Sequence, residues 1–321
     1  MVKTNKKPKI AVVIPCLNEI TTIAKVIRDF KTQLPGAKII VFDNNSTDGS
    51  DAAARQEGAE VIYEKRQGKG FVVSAILQKV KADIYVMVDG DDTYPAESVH
   101  ALLAPVLGNQ ADMAVGQRLS DFSDTAFRPM HYRGNQVICS LINMIFSSSL
   151  KDPMSGYRVF NRSVALEIPI VAAGFDVETE ITLQMLYRHF KIVEVEIPYR
   201  ERPAGSTSKL RTFRDGARVL FRIFTLMQSY KPLTFYGGIG LFLLACGLIA
   251  GAFVIQDYIL YQYIYRVPLA ILATGLVMIG VLSGFTGIIL TRINFRLLEI
   301  SNLQAKTLHL LDEQDRQHSA D

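Results

Sequence analysis

Two carboxylates set two residues apart, at the end of an apolar run, are the first feature here that suggests chemistry. Ile84-Tyr85-Val86-Met87-Val88 stops at Asp89-Gly90-Asp91-Asp92. A pair of carboxylates with a small residue between them, on a tight turn, suits Mg2+ or Mn2+ bridging Asp91 and a diphosphate. The ion would neutralise charge on a leaving group. D-x-D alone also describes an ordinary solvated turn. Its place directly after a buried strand, in line with two other polar strand ends, favours the metal, and Asp89 and Asp91 are the candidate ligands. Those other ends are Pro15–Glu19, after Ile10–Ile14, and Asp43–Asp48, after Lys38–Asp43.

Strand-like and helical periods alternate around these residues. Ile10–Ile14, Lys38–Asp43, Val61–Glu64, Ile84–Asp89 and Met113–Gly116 are short, β-branched and bounded by turn residues. Ile23, Val26, Ile27 and Phe30 keep helical spacing, and Ser50–Glu57, Lys69–Lys79 and Ala96–Leu107 read as further helices. The alternation predicts an α/β domain with a mostly parallel sheet covered on both faces. Ligands bind such sheets at the carboxyl ends of the strands, so the polar ends should share one crevice. Beyond Asp121 the pattern predicts helices over His131–Phe146 and Glu178–His189, and an edge-like strand over Ile192–Ile197.

The 321 residues allow one sizeable domain plus a membrane module. The net charge of +4 does not suggest nucleic acid. Cys16, Cys139 and Cys246 are scattered and imply no disulfide framework, and the histidines show no metal-ligand spacing. Lys3, Lys6, Lys7 and Lys9 precede an apolar run broken by Pro15, too short for a signal peptide, so the N-terminus is expected in the cytosol. Leu233–Ile255 and Val267–Leu290 carry no charged residue. A stretch of about 23 residues rises roughly 34 Å, enough to span a bilayer. Tyr258, Tyr261, Tyr263 and Tyr265 in the connection suit a membrane interface. Arg200–Lys231 holds eight basic and two acidic residues, which places both termini on the cytosolic side. Leu210–Ser229 reads as a basic amphipathic helix lying on an anionic surface. Gly247/Gly251 and Gly280/Gly284 have the spacing of a span-packing motif, and Arg292–Gln317 suits a cytosolic helix, features compatible with a homo-oligomer. The expected divisions are 1–209, 210–231, 232–291 and 292–321. A strand-end acidic turn and membrane spans on one chain point to an enzyme that joins a soluble activated compound to a lipid.

Several motifs, in order, carry a family resemblance. They are Val12-Val13-Ile14-Pro15-Cys16-Leu17-Asn18-Glu19, Asp43-Asn44-Asn45-Ser46-Thr47-Asp48-Gly49-Ser50, Gly68-Lys69-Gly70 and Asp89-Gly90-Asp91. Together they resemble the family 2 glycosyltransferases of the GT-A fold, a Rossmann-like α/β architecture. Asp152-Pro153-Met154-Ser155-Gly156-Tyr157-Arg158 and Arg202-Pro203-Ala204-Gly205-Ser206-Thr207-Ser208-Lys209, followed by two spans, are similar to polyprenyl-phosphate glycosyltransferases. Bactoprenol glucosyltransferases and dolichol-phosphate mannose synthases are of this type. The resemblance implies that Pro15, Leu17, Asn18 and Glu19 line a nucleotide pocket and that Asp43 accepts a hydrogen bond from the base edge. Asn45 and Ser46 would support that loop, and Lys69, on a glycine-flanked turn before a helix, would reach a phosphate. Asp89, Gly90 and Asp91 would form the metal and diphosphate turn.

The implied acceptor is the phosphate of a polyprenol such as undecaprenyl phosphate. It is already anionic and needs positioning more than a strong base. Arg118, Arg128, Arg133, Arg202 and Lys209 are the candidate contacts, because guanidinium forks suit phosphate. Asp152 is the carboxylate expected to contact the donor sugar or assist the acceptor, with Arg158 flanking the same turn. The expected donor is UDP-glucose, with GDP-mannose second. A processive polysaccharide synthase would carry a Q-x-x-R-W motif, and this chain has no Trp. A non-catalytic sugar-nucleotide scaffold is the remaining alternative.

Overall fold

A computed structural model of the chain describes residues 7–119, 128–174, 177–200, 224–225 and 227–318. The chain divides into two compact units, Met1–Leu220 and Phe221–Asp321.

The first unit is built on seven strands among the described residues. These are β1 (Ile10–Cys16), β2 (Lys38–Asp43), β3 (Glu60–Tyr63), β4 (Ile84–Met87), β5 (Met113–Leu119), β6 (Arg158–Asn161) and β7 (Ile192–Pro198). They form one sheet in the order β3-β2-β1-β4-β6-β5-β7. β1 pairs in parallel with β2 and β4, β2 with β3, and β5 with β7. Strands buried on both sides read as continuous apolar runs, which is why the central ones were visible in the sequence. Side chains alternate across the sheet into two cores. Val12, Ile14, Val41 and Val86 pack with Val26, Ile27 and Phe30 of α1 (Ile23–Gln33) and with Leu102 and Leu103 of α4 (Val99–Leu107). α2 (Ser50–Gln56) lies between α1 and α4 in the chain order. Ala11, Val13, Phe42 and Met87 pack on the other face with Val72, Val73 and Ile76 of α3 (Lys69–Lys79). α5 (Arg128–Phe146), α6 (Arg162–Glu167) and α7 (Val177–Tyr187) complete the unit, and Val164, Ile181 and Met185 join this second core.

β6 and α6 were not expected. β6 is four residues long and opens on Arg158, so it offers no apolar run to read. It lies antiparallel to both β4 and β5, with Met87 opposite Arg158, which makes the sheet mixed although still mostly parallel.

The second unit is a helical hairpin, α8 (Pro232–Tyr261) and α9 (Val267–His318), both long and apolar enough to cross a membrane. The tail expected to be helical continues the second span: α9 runs unbroken for 52 residues. Of the expected packing glycines, Gly247 and Gly280 make close approaches, whereas Gly251 and Gly284 do not. A Cβ on Gly240 would meet the Gly280 carbonyl at 2.7 Å, and one on Gly247 would meet the Ala273 carbonyl at 3.0 Å. A Cβ on Gly287 would meet the Pro232 carbonyl at 3.2 Å, whereas Gly284 has nothing within 4 Å. The close approach therefore follows a spacing of seven, which keeps one seam in contact along two helices, rather than the expected spacing of four. Ser283 Oγ donates to the Tyr236 carbonyl at 2.8 Å across this seam.

Candidate active site

Because β1, β2 and β4 are adjacent and parallel, their carboxyl ends lie side by side and the three polar turns share one edge. The first two turns are locked together. The Asn18 N–H donates to Ser46 Oγ, the Thr47 N–H to Asn18 Oδ1 and the Glu19 N–H to Ser50 Oγ, at 3.0, 2.8 and 2.8 Å. Asn18 and Asn45 take left-handed backbone angles, φ 51° and 65°, which asparagine tolerates better than most residues. Asn45 Nδ2 donates to the Lys65 carbonyl and to Gln67 Oε1. Burial alone would raise the Asp48 carboxyl, but hydrogen bonds from Ser50 and from the Ile20 N–H outweigh it and lower its pKa. Pro15 lies opposite Phe42, Cys16 ends the strand opposite Asp43, and Leu17 and Glu19 follow, with Glu19 buried.

Asp43 is buried at the end of β2. Its Oδ2 accepts from the Ser46 N–H at 3.1 Å, while its Oδ1 is buried with no hydrogen-bond partner among the described residues. An orphaned buried carboxylate oxygen is costly unless a ligand donor meets it. The N–H of a nucleobase edge is such a donor.

The acidic turn follows β4. Asp91 is buried, and its Oδ1 accepts from the Thr93 hydroxyl at 2.6 Å and from the Thr93 N–H at 3.2 Å. The Gly90 carbonyl accepts from Thr22 Oγ1 at 2.7 Å. Asp89 Oδ1 lies 2.5 Å from Lys69 Nζ, which also reaches Glu178 Oε1 at 2.6 Å. Burial alone would lower the Lys69 pKa, but the two carboxylates overcome it and raise it, so the ammonium stays charged. Among the described residues no group of three or more His, Cys, Asp and Glu forms an all-protein metal cage. Two aspartates on one turn instead suit a site completed by phosphate oxygens, the habit of Mg2+ and similar hard ions. Asp89 already holds one cation, the ammonium. The donor set fits a divalent metal.

Asp152, expected to contact the donor sugar or assist the acceptor, and Arg118, expected at the acceptor phosphate, meet each other. Arg118 Nε and Nη2 lie 2.7 and 2.8 Å from the two Asp152 oxygens, a bidentate pair, and the Arg118 N–H adds a third bond at 3.2 Å. The Arg118 guanidinium also lies 5.5 Å from the Tyr199 ring centroid. Asp152 is itself held by Glu194, which accepts from its N–H at 2.7 Å. Arg158 follows the same turn, at the start of β6. It is fully buried and donates to the carbonyls of Ser155 and Pro153 and to Thr182 Oγ1, at 2.8, 2.6 and 3.0 Å. Burial lowers its pKa to about 10. Arg158 is the brace of the 152–157 turn, and that turn packs on the acidic one: a Cβ on Gly156 would stand 2.5 Å from Asp89 Oδ2. Tyr94 OH accepts from the Gly156 N–H at 3.0 Å.

The glycines beside Lys69 serve the fold. A Cβ on Gly70 would lie 1.8 Å from the Ala172 carbonyl oxygen, and one on Gly68, at φ 137°, would lie 2.0 Å from that of Ala173. Arg128 and Arg133 stand on α5 with side chains outside the described residues, and Arg202, Lys209 and most of Leu210–Ser229 also lie outside them. Glu178, Thr93 and Tyr94 were not singled out from sequence. Thr93 could have been, as the hydroxyl two residues past Asp91; Glu178 has no local signal, since it reaches Lys69 only through the fold.

The profile described as Glycosyl transferase family 2 matches residues 11–168. Glycosyltransferase AglJ of Haloferax volcanii is 31% identical over 281 residues, covering 85% of this chain and 92% of that protein. A dolichyl-phosphate hexose transferase of the same organism is 30% identical over 210 residues, covering 65% of this chain and 90% of that protein. Among solved structures, glucosyl-3-phosphoglycerate synthase from Mycobacterium tuberculosis, in complex with Mn2+, uridine-diphosphate-glucose and phosphoglyceric acid, aligns with a TM-score of 0.56. The alignment covers 68% of this chain and 79% of that one at 22% identity, a likeness of GT-A fold.

Proposed function

The chain belongs to glycosyl transferase family 2, and from that premise we propose that it moves a hexose from a nucleotide sugar to the phosphate of a polyprenol in the membrane. The observation that carries the acceptor half is that this chain continues into two helices of bilayer-crossing length and apolarity. Their large side chains, such as Leu241, Phe242, Ile271 and Leu272, are exposed, and a surface of that kind suits lipid better than water. The likeness to a dolichyl-phosphate hexose transferase supports the same reading.

The phosphate oxygen of the lipid attacks C1 of the sugar, the bond from C1 to the diphosphate breaks, and the nucleoside diphosphate leaves with inversion. A divalent metal held by Asp89 and Asp91 would offset the charge on the leaving diphosphate. Asp43 Oδ1 takes the base edge, and Lys69 faces the phosphates. The acceptor phosphate needs no strong base, which agrees with an Asp152 engaged by Arg118 rather than free. Asp152 thus orients a guanidinium whose five N–H donors exceed the two spent on it. Arg118, with Arg128, Arg133, Arg202 and Lys209, is the proposed cradle for the lipid phosphate. UDP-glucose is the proposed donor.

Membranes holding the protein, given labelled UDP-glucose or GDP-mannose with and without undecaprenyl phosphate, test this directly. Label from UDP-glucose should enter the organic phase only when the lipid phosphate is present. Label in a long polymer, or donor use that ignores the lipid, would sink the reading.

The proposed location is the cytoplasmic membrane, with the catalytic unit and both termini in the cytosol. In a chain lacking Cys16, Cys139 and Cys246, Tyr261→Cys should react with an impermeant thiol reagent outside intact cells, and Asp315→Cys should not. The reverse labelling pattern would overturn the orientation.

A further inference from the structure

We propose that Glu178 is a positioning residue for the metal site: it shares the Lys69 ammonium and so keeps Asp89 available to a divalent ion. The inference rests on the reading that Asp89 and Asp91 hold a metal against a diphosphate. Lys69 Nζ stands 2.5 Å from Asp89 Oδ1 and 2.6 Å from Glu178 Oε1, with the Lys69 and Glu178 side chains only 12% and 6% exposed. Two carboxylates and one ammonium together carry one negative charge in a water-poor corner, with the buried Arg158 guanidinium also within Coulombic reach of Glu178. Asp89, at 26%, is the most open of the three, so the surplus charge faces the side from which a ligand arrives.

Without the Glu178 charge, the ammonium and Asp89 would form a closed neutral pair. A metal ion would then have to displace a buried ion pair to reach Asp89, against a strong Coulomb attraction at low dielectric. With Glu178 in place, the ammonium already has a second carboxylate and can lean onto it as Asp89 turns to the metal. The three groups come from α3, from the turn after β4 and from the first turn of α7. Glu178 is held there because Thr182 Oγ1 lies 3.0 Å from both the Glu178 and Pro153 carbonyls, tying that turn to the 152–157 loop.

The test measures Mn2+ binding by the full chain in detergent, from the EPR signal of free Mn2+, at saturating UDP or GDP, whichever the wild type takes. Glu178→Gln should weaken Mn2+ binding about tenfold. In a Lys69→Gln background, where no ammonium competes, the same substitution should change it less than threefold. Such coupling marks an effect that passes through Lys69. Glu178→Asp, still charged but one methylene shorter, should fall between, at about threefold weaker, and carries the test if the glutamine variant does not fold. Wild-type Mn2+ affinity in Glu178→Gln or in a sole folded Glu178→Asp, or a loss undiminished in the Lys69→Gln background, overturns the inference alone. A wild type that takes up no Mn2+ with either nucleotide overturns the metal reading and this inference with it.

Discussion

Asp91→Asn is expected to lower kcat by about a thousandfold or more while leaving the fold intact. The size follows from the role: stabilising charge on a departing diphosphate is worth several kcal/mol, and each 1.4 kcal/mol is roughly tenfold in rate. The intact fold follows from the surroundings. Asp91 Oδ1 accepts from both the hydroxyl and the N–H of Thr93, and an asparagine oxygen can take the same two bonds. What asparagine lacks is the charge. The measurement is kcat with UDP-glucose and lipid phosphate, beside a thermal melt and a chelator control on the wild type. Normal turnover by Asp91→Asn, or a wild type indifferent to chelator, would show that the turn holds no catalytic metal.

Gly70→Ala should be among the most damaging small substitutions in the catalytic unit. Its methyl carbon would lie 1.8 Å from the Ala172 carbonyl oxygen and 2.5 Å from the Ala172 carbonyl carbon, both backbone atoms that no rotamer change can move aside. The Gly70 N–H also donates to the Ala173 carbonyl at 3.2 Å, so separating the two segments forfeits a hydrogen bond as well. A cost of about 3 kcal/mol or more is expected, at the upper end of overpacking effects. Gly36→Ala is the control, since nothing lies within 4 Å of its added carbon. Melting followed by circular dichroism should separate Gly70→Ala from the control by many degrees. Equal melting points would mean that residues 172–173 do not press against the start of α3.

The same glycines show where sequence reading ran short. Gly68-Lys69-Gly70 suggested a backbone kept bare for a phosphate, yet the bareness accommodates Ala172 and Ala173, about a hundred positions along the chain. Residues read well when their neighbours in the chain are their neighbours in space. β1, β2 and β4 are apolar on both faces, and the turns that follow them are consecutive in sequence, so their shared edge was foreseeable. Pairings between distant elements left no mark. Arg118 with Asp152 and Lys69 with Glu178 join residues far apart in the chain, and β6, a four-residue strand headed by arginine, gives no periodic signal. In the helical hairpin, four-residue glycine spacing was the visible pattern, but contact between two long helices is set by the seven-residue repeat, which picks out Gly240, Gly247, Gly280 and Gly287.

The reversed direction of β6 carries a consequence for how such an enzyme can diversify. β5 runs parallel to β7 and antiparallel to β6, and β6 is antiparallel to β4, so β5 ends and β6 begins on the same side of the sheet as Asp89. Residues 120–157 therefore leave the scaffold and return to it at one rim. Chain can be added to or removed from that excursion without shifting any strand register, because neither anchor moves. Its last turn is tied to Arg118, Glu194 and Asp89, so an exchange has to keep those contacts. Transplanting the segment between relatives should carry acceptor preference along while donor chemistry, rooted in β1, β2 and β4, stays with the host.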